Sequence, residues 1–251
     1  MFSLFQPKLP LSPEQRQWID QSFVRLGSIL GAERLLNAPV VLPIREHFPD
    51  RYDRSEESLD LLFRRVADSM EVPPAEVEVG LFVEEHDMAR ELVPFYSGKN
   101  NGAGGLYYHA STGRARIAVN ETKLKDPMAL VAVLAHELGH VILLRPGLVG
   151  RDESDMEPLT DLLTVFLGLG VFTANAAFQF KQYTNNDSQG WSTSRLGYLS
   201  EEQLGYALAR FALERGEVKP AWGSYLPTNV SAYFRRSQRW LQHHNELRLL
   251  S

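Results

Sequence analysis

The chain has 251 residues, 44% of them hydrophobic and 23% charged, with no cysteine and a formal net charge of −5. That length and apolar content suffice for a sizeable core, in one large domain or two small ones. The missing thiols exclude disulfides and thiolate metal sites, and the acidic balance argues against a nucleic-acid partner, for which Arg235, Arg236 and Arg239 offer only a small basic patch.

Residues 1–18 lack the basic start and continuous apolar stretch of a signal peptide, so a cytoplasmic location is expected. Residues 12 to 36 read as one helix, opened by Ser12, Pro13 and Glu14, with the proline suited to a first turn. After a turn-rich link at 48–53, Ser55 to about Met70 reads as a second helix, because Leu59, Leu62, Phe63 and Val66 fall at helical spacing. The period then drops to two: Val77, Val79, Leu81 and Val83 alternate as in a half-buried strand. Residues 105–110 and 116–119 read as two more short strands, preceded by a Gly- and Asn-rich loop at 97–105. Gly104 to His109 reads either as an edge strand, to which a peptide could add by main-chain hydrogen bonds, or as an ordinary buried hairpin. His86, in an acidic run, reads as a surface residue.

Asp126 and Pro127 open the next helix as cap and first residue, and Arg145, Pro146 and Gly147 end it. Another helix follows from about Asp155 to Gly168. A third starts at Ser200, with Gln203 completing a capping box. The last runs from about Asn229 to Leu247, with Val230, Tyr233, Phe234 and Trp240 toward a core. The uncharged stretch from Leu162 to Phe180 reads as a buried core helix; a membrane span is the alternative, but it takes about 20 predominantly apolar residues, and this stretch includes Asn175, Gln179, two threonines and two glycines. Strands precede the 126–145 helix and helices follow it, which makes the expected class α+β. The expected organisation is one compact unit, 1–251, with a helical N-terminal region (1–70), a core carrying the metal site (71–180) and a helical C-terminal region (181–251).

The helix opened by Asp126 contains His136-Glu137-Leu138-Gly139-His140, an HExxH motif. Residues four apart project from one helix face, so the two imidazoles can hold one zinc at about 2.0–2.1 Å. Glu137, next to a ligand, is placed to accept a proton from a metal-bound water. The motif interrupts an apolar run, so its polar side chains should be at least partly buried and in need of partners. A catalytic zinc usually takes three protein ligands and keeps one open position. Downstream, Glu157 and Asp161 stand four apart on another apolar helix, where two buried carboxylates without a cation would be costly. Glu157 is read as the third ligand. Asp161 is read as the acceptor of a ligand histidine's free N–H, fixing its tautomer. The plainer reading of Glu157 is an exposed acid in a helix's first turn.

The motif followed by Glu157-Pro-Leu-Thr-Asp161 resembles the gluzincin metallopeptidases, in which HExxH on one helix is joined by ExxxD on the next; the 16 residues between His140 and Glu157 suit that pattern. The strand, linker and motif helix before it are similar to the small gluzincin cores, including the ImmA/IrrE type, although no helix-turn-helix accompanies them here. Stretches such as FPDRYD, DPMALVAVLAHELGH and GYLSEEQLGYALA resemble a group of bacterial proteins, a likeness that implies no particular activity. Leu143 and Pro146 stand where metzincins have glycine and histidine, the cysteine ligand of HExxH deformylases is missing, and so is the GxMEN signature of the large aminopeptidases.

The resemblance implies a zincin-like core, with a small mixed or antiparallel sheet packed on the motif helix. It implies a zinc-dependent metallopeptidase acting on a peptide or protein; the expectation of neither nucleic acid nor membrane as partner comes from the net charge and from the composition of 162–180. The alternative is a catalytically silent zinc-binding regulatory or interaction protein of the same fold. Peptide hydrolysis needs a donor for the developing oxyanion, and Tyr198, Tyr206 and His243 are candidates. Each tyrosine reads more simply as a core residue with its hydroxyl at the surface, and His243-His244 as a solvated helix end.

Overall fold

The structure, a computed structural model, describes residues 7–82, 105–109, 114–145, 148–150, 153–184 and 199–250. In chain order the described helices are α1 (Pro13–Leu30), α2 (Ala32–Asn37), α3 (Glu56–Ser69), α4 (Pro127–Leu143), α5 (Met156–Phe166), α6 (Gly170–Thr184), α7 (Glu201–Glu214) and α8 (Thr228–His243). The strands are β1 (Val77–Phe82), β2 (Gly105–His109) and β3 (Ala115–Asn120). The fold is α+β, as the sequence implied. Its residues group into two compact units: a helical unit of 1–42, 157–178 and 197–251, and a sheet unit of 43–156 and 179–196. That grouping cuts across the three consecutive regions drawn from the sequence.

In the sheet unit, α3 begins where Ser55 Oγ accepts the Ser58 N–H at 3.1 Å. It buries the stripe Leu59, Leu62, Phe63 and Val66, side chains each worth about 1.5–3 kcal/mol when fully removed from water. The strands lie in the order β1-β3-β2. Val77 of β1 pairs with Ala115 in parallel register, and Tyr107 of β2 pairs with Ile117 in antiparallel register. The sheet is therefore mixed, and the wholly antiparallel alternative is overturned by the parallel β1–β3 pair. Such a pair needs a connection of a dozen or more residues, which the stretch between Phe82 and Ala115 provides. In β3, Ile117, Ala118, Val119 and Asn120 are all buried, as befits a central strand covered on both faces. Helix α4 packs on β2 and β3, and α3 packs on α4.

In the helical unit, α1 carries the capping box that Ser12 and Gln15 make. The single helix expected over 12–36 is broken at Gly31, whose φ of +88° no α-helix accommodates. Gly168, at φ +85°, does the same to the stretch 162–180, which becomes the end of α5 and the start of α6. A Cβ at Gly168 would collide with the Pro39 carbonyl oxygen, and the Gly168 carbonyl accepts the Val41 N–H at 2.9 Å. Among the described residues, no helix is long and apolar enough to cross a membrane.

Ser200 and Gln203 form the expected capping box of α7. Helix α7 packs on α1 and on α8. At Gly205 the approach is close: a Cβ there would lie 2.9 Å from the Phe234 backbone nitrogen. Helix α8 buries Val230, Phe234, Ser237 and Leu241, a stripe of helical period, while Tyr233 and Trp240 are half-buried.

Candidate metal centre

The motif helix α4 starts where the Asp126 carboxylate accepts the Met128 and Ala129 N–H groups at 3.0 and 3.1 Å. Its residues from Ala129 to Leu143 are buried throughout, except His136, which is half-buried. Glu137 is 5% exposed and His140 8%. One turn of helix sets the two imidazoles side by side, ring centroids 4.9 Å apart and planes at 82°. Two imidazoles and a carboxylate inside so apolar a helix need polar partners or a cation.

Glu157 opens α5 and is half-buried. One ligand atom each from His136, His140 and Glu157 lies within 4.8 Å of the other two. Around a tetrahedral ion bonded at about 2.0–2.1 Å, ligand atoms stand about 3.4 Å apart. The three ligand atoms thus lie within 4.8 Å of one another, wider than coordination spacing by up to about 1.4 Å. Two imidazole nitrogens and one carboxylate oxygen suit a divalent metal ion and leave room for a fourth, exchangeable ligand. This group can hold a metal ion.

Asp161, four residues on from Glu157, is buried, and its Oδ2 accepts the Leu199 N–H at 3.2 Å. That carboxylate fastens α5 to the residue just before the α7 cap, a partner that spacing along the chain could not disclose. Tyr107 of β2 stacks on His140, centroids 6.0 Å apart and planes at 24°. Sequence reasoning missed Tyr107. A tyrosine on a short strand has no local mark of proximity to a helix more than twenty residues later. As for β2 itself, it lies at one side of the sheet and pairs only with β3 among the described residues. Gly104 of that expected stretch falls outside the described residues, as do Tyr198 and His86.

Tyr206 is engaged elsewhere. It is fully buried, and its hydroxyl donates to Asp20 at 2.9 Å while accepting from Arg210 Nη2 at 3.1 Å. Arg210, fully buried on α7, also donates to Asp20 Oδ1 at 3.1 Å and to the Leu247 carbonyl at 3.0 Å. Burial pushes the Asp20 carboxyl above its ordinary range despite Arg210, and burial likewise raises the Tyr206 phenol. Burial works against the Arg210 charge, but Tyr206 and Asp20 outweigh it and hold the guanidinium above its ordinary pKa. A buried phenol so committed does not serve as an oxyanion donor. The sequence carried one sign of this cluster, an arginine inside the apolar run Ala207–Ala212. His243 and His244 are exposed at the end of α8, as a solvated helix end requires.

No family model, curated protein or solved structure matches the chain. The reading of the site therefore rests on the chain's own residues.

Proposed function

We propose that the chain is a zinc-dependent metallopeptidase of gluzincin type, with His136, His140 and Glu157 as ligands and Glu137 as general base. What supports the reading is the convergence of Glu157 on the histidine pair from a separate helix, with 16 residues between it and His140. A bound zinc supplies Lewis acidity, lowering the pKa of its water toward about 7 and polarising the scissile carbonyl.

Glu137 is buried beside both histidines and cannot easily share their metal from its neighbouring position. Its carboxylate takes the proton of the attacking water, and the water oxygen adds to the peptide carbonyl carbon. Glu137 then returns that proton to the amide nitrogen as the C–N bond breaks, leaving a carboxylic acid and an amine, and the acid's remaining proton passes to the amine to give carboxylate and ammonium. In this reading Asp161 completes the site from behind as a hydrogen-bond acceptor for a ligand imidazole.

The Glu137→Gln variant tests the proposal. The variant keeps the side chain's size and all three ligands, so metal content and thermal stability should survive. Hydrolysis of a peptide drawn from an unbiased library should fall about 10²–10⁴-fold. Equal cleavage by both proteins would exclude Glu137 as the base. A wild type that holds one zinc firmly and cleaves nothing across the library would instead identify a zinc-binding regulatory protein.

A further inference from the structure

We propose that Tyr107 is a positioning residue for the metal, its phenol ring serving as the wall that fixes the plane of the His140 imidazole. The inference rests on the metal reading above. It extends that reading to a residue outside HExxH and ExxxD.

A ligand imidazole needs two things fixed: which nitrogen faces the metal, and the direction in which that nitrogen's lone pair points. The tautomer is set by a hydrogen bond to the other nitrogen. The direction is set by whatever restricts the ring torsion, because the terminal torsion of histidine is broad and about two-fold. On α4 the neighbouring His136 ring meets His140 edge-on, at 82°. That contact touches one side only. Tyr107 provides a near-parallel ring, at 24° and 6.0 Å, in the offset range where aromatic pairs attract.

Tyr107 is itself well anchored for this task. It sits in β2 opposite Ile117 of the buried central strand, and β2 and β3 both pack on α4. The sheet thus delivers an aromatic face to His140, the one proposed ligand that is nearly buried. Stacking needs the ring and not the hydroxyl, so phenylalanine should replace tyrosine here and an aliphatic residue should not.

The test compares wild type, Tyr107→Phe and Tyr107→Leu in two measurements. The first is NMR of the metal-free proteins, with the His140 ring protons assigned by loss of signal in His140→Gln. Wild type and Tyr107→Phe should share a ring-current displacement of those protons that Tyr107→Leu lacks. The second is titration with Co(II), following the visible absorption of the bound ion. Tyr107→Leu should bind about three- to tenfold more weakly with an altered absorption band, and Tyr107→Phe should match wild type. If Tyr107→Leu binds Co(II) as wild type does with an unchanged band, Tyr107 has no positioning role, although the metal site stands. If wild type takes up no Co(II) and no zinc, the metal reading fails and the proposal falls with it. Should Tyr107→Leu not fold, the ring-current displacement in wild type and its retention in Tyr107→Phe still decide: without that displacement, the stack and the proposal are gone.

Discussion

On α7, Arg210 lies fully buried and meets Asp20, Tyr206 and the Leu247 carbonyl, so its donors are answered by the protein itself. On α4, a more apolar helix, His136, Glu137 and His140 are buried or half-buried, and a ligating atom of Glu157 lies within 4.8 Å of one on each imidazole. Both arrangements place polar groups in a core, yet they are opposites in charge balance. The α7 cluster pairs a cation with a carboxylate. The α4 cluster gathers lone pairs and carboxylates around a point where a cation fits. The lesson is that buried polarity by itself does not mark a site. What marks one is a set of metal-ligating atoms gathered within reach of a single ion.

The largest expected effect breaks the α7 side of this comparison. Asp20→Ala takes from the buried Arg210 guanidinium its closer carboxylate, leaving Glu246 Oε2 at 3.7 Å, and takes away the acceptor of the Tyr206 hydroxyl. Removing one partner of a buried pair costs about 3–5 kcal/mol. Urea unfolding of the variant should show that loss, with metal content per folded chain unchanged. Metal content that falls in step with stability would mean the two clusters are not independent.

The next effect separates two carboxylates on α5. Glu157→Ala removes a proposed ligand and should weaken metal binding in a chelator competition while leaving the metal-free protein as stable as before. Asp161→Ala should do the reverse in proportion. It leaves the buried Leu199 N–H without its acceptor, at about 1–3 kcal/mol of stability in the metal-free protein. In metal affinity it should lose about 10–100-fold, less than Glu157→Ala. A larger affinity loss for Asp161→Ala would exchange the two roles.

The smallest effect adds an exposed pair as a reference. Glu78 of β1 accepts from Arg116 Nε of β3 at 2.6 Å, and that bond holds its carboxyl below the ordinary carboxylate range. A depressed carboxyl contributes stability above its ordinary pKa and loses it as pH falls through the depressed value. Arg116→Gln should therefore lower the melting temperature slightly at neutral pH, with the gap to wild type closing in acid. Because the pair is solvent-exposed, the gap should be far smaller than for Asp20→Ala. A gap that widens in acid would refute the assignment.

Much of the chain was legible locally. The Ser12-Pro13 start of α1, the capping box at Ser200, the Asp126-Pro127 start of α4, and the alternation near β1 were each written within a few residues, and each element began where it was expected. The HExxH pair shares a face because helical period alone puts it there. Less legible were the breaks at Gly31 and Gly168. Glycine permits a positive φ without requiring one: at Gly168 the Pro39 carbonyl also leaves no space for a Cβ, whereas at Gly31 nothing lies within 4 Å.

The sequence by itself determined which residues form the motif helix and which chemistry they can offer, because spacing of three or four residues is a property of the helix and not of its surroundings. Only the tertiary structure decided which distant side chains complete each cluster. Asp20 meets Tyr206 and Arg210 across 186 and 190 residues. Tyr107 reaches His140 through the pairing of β2 with β3 and their packing on α4. Such contacts are selected by the packing of whole elements, whose free energy sums over many apolar side chains, so no short stretch of sequence contains the information that specifies them.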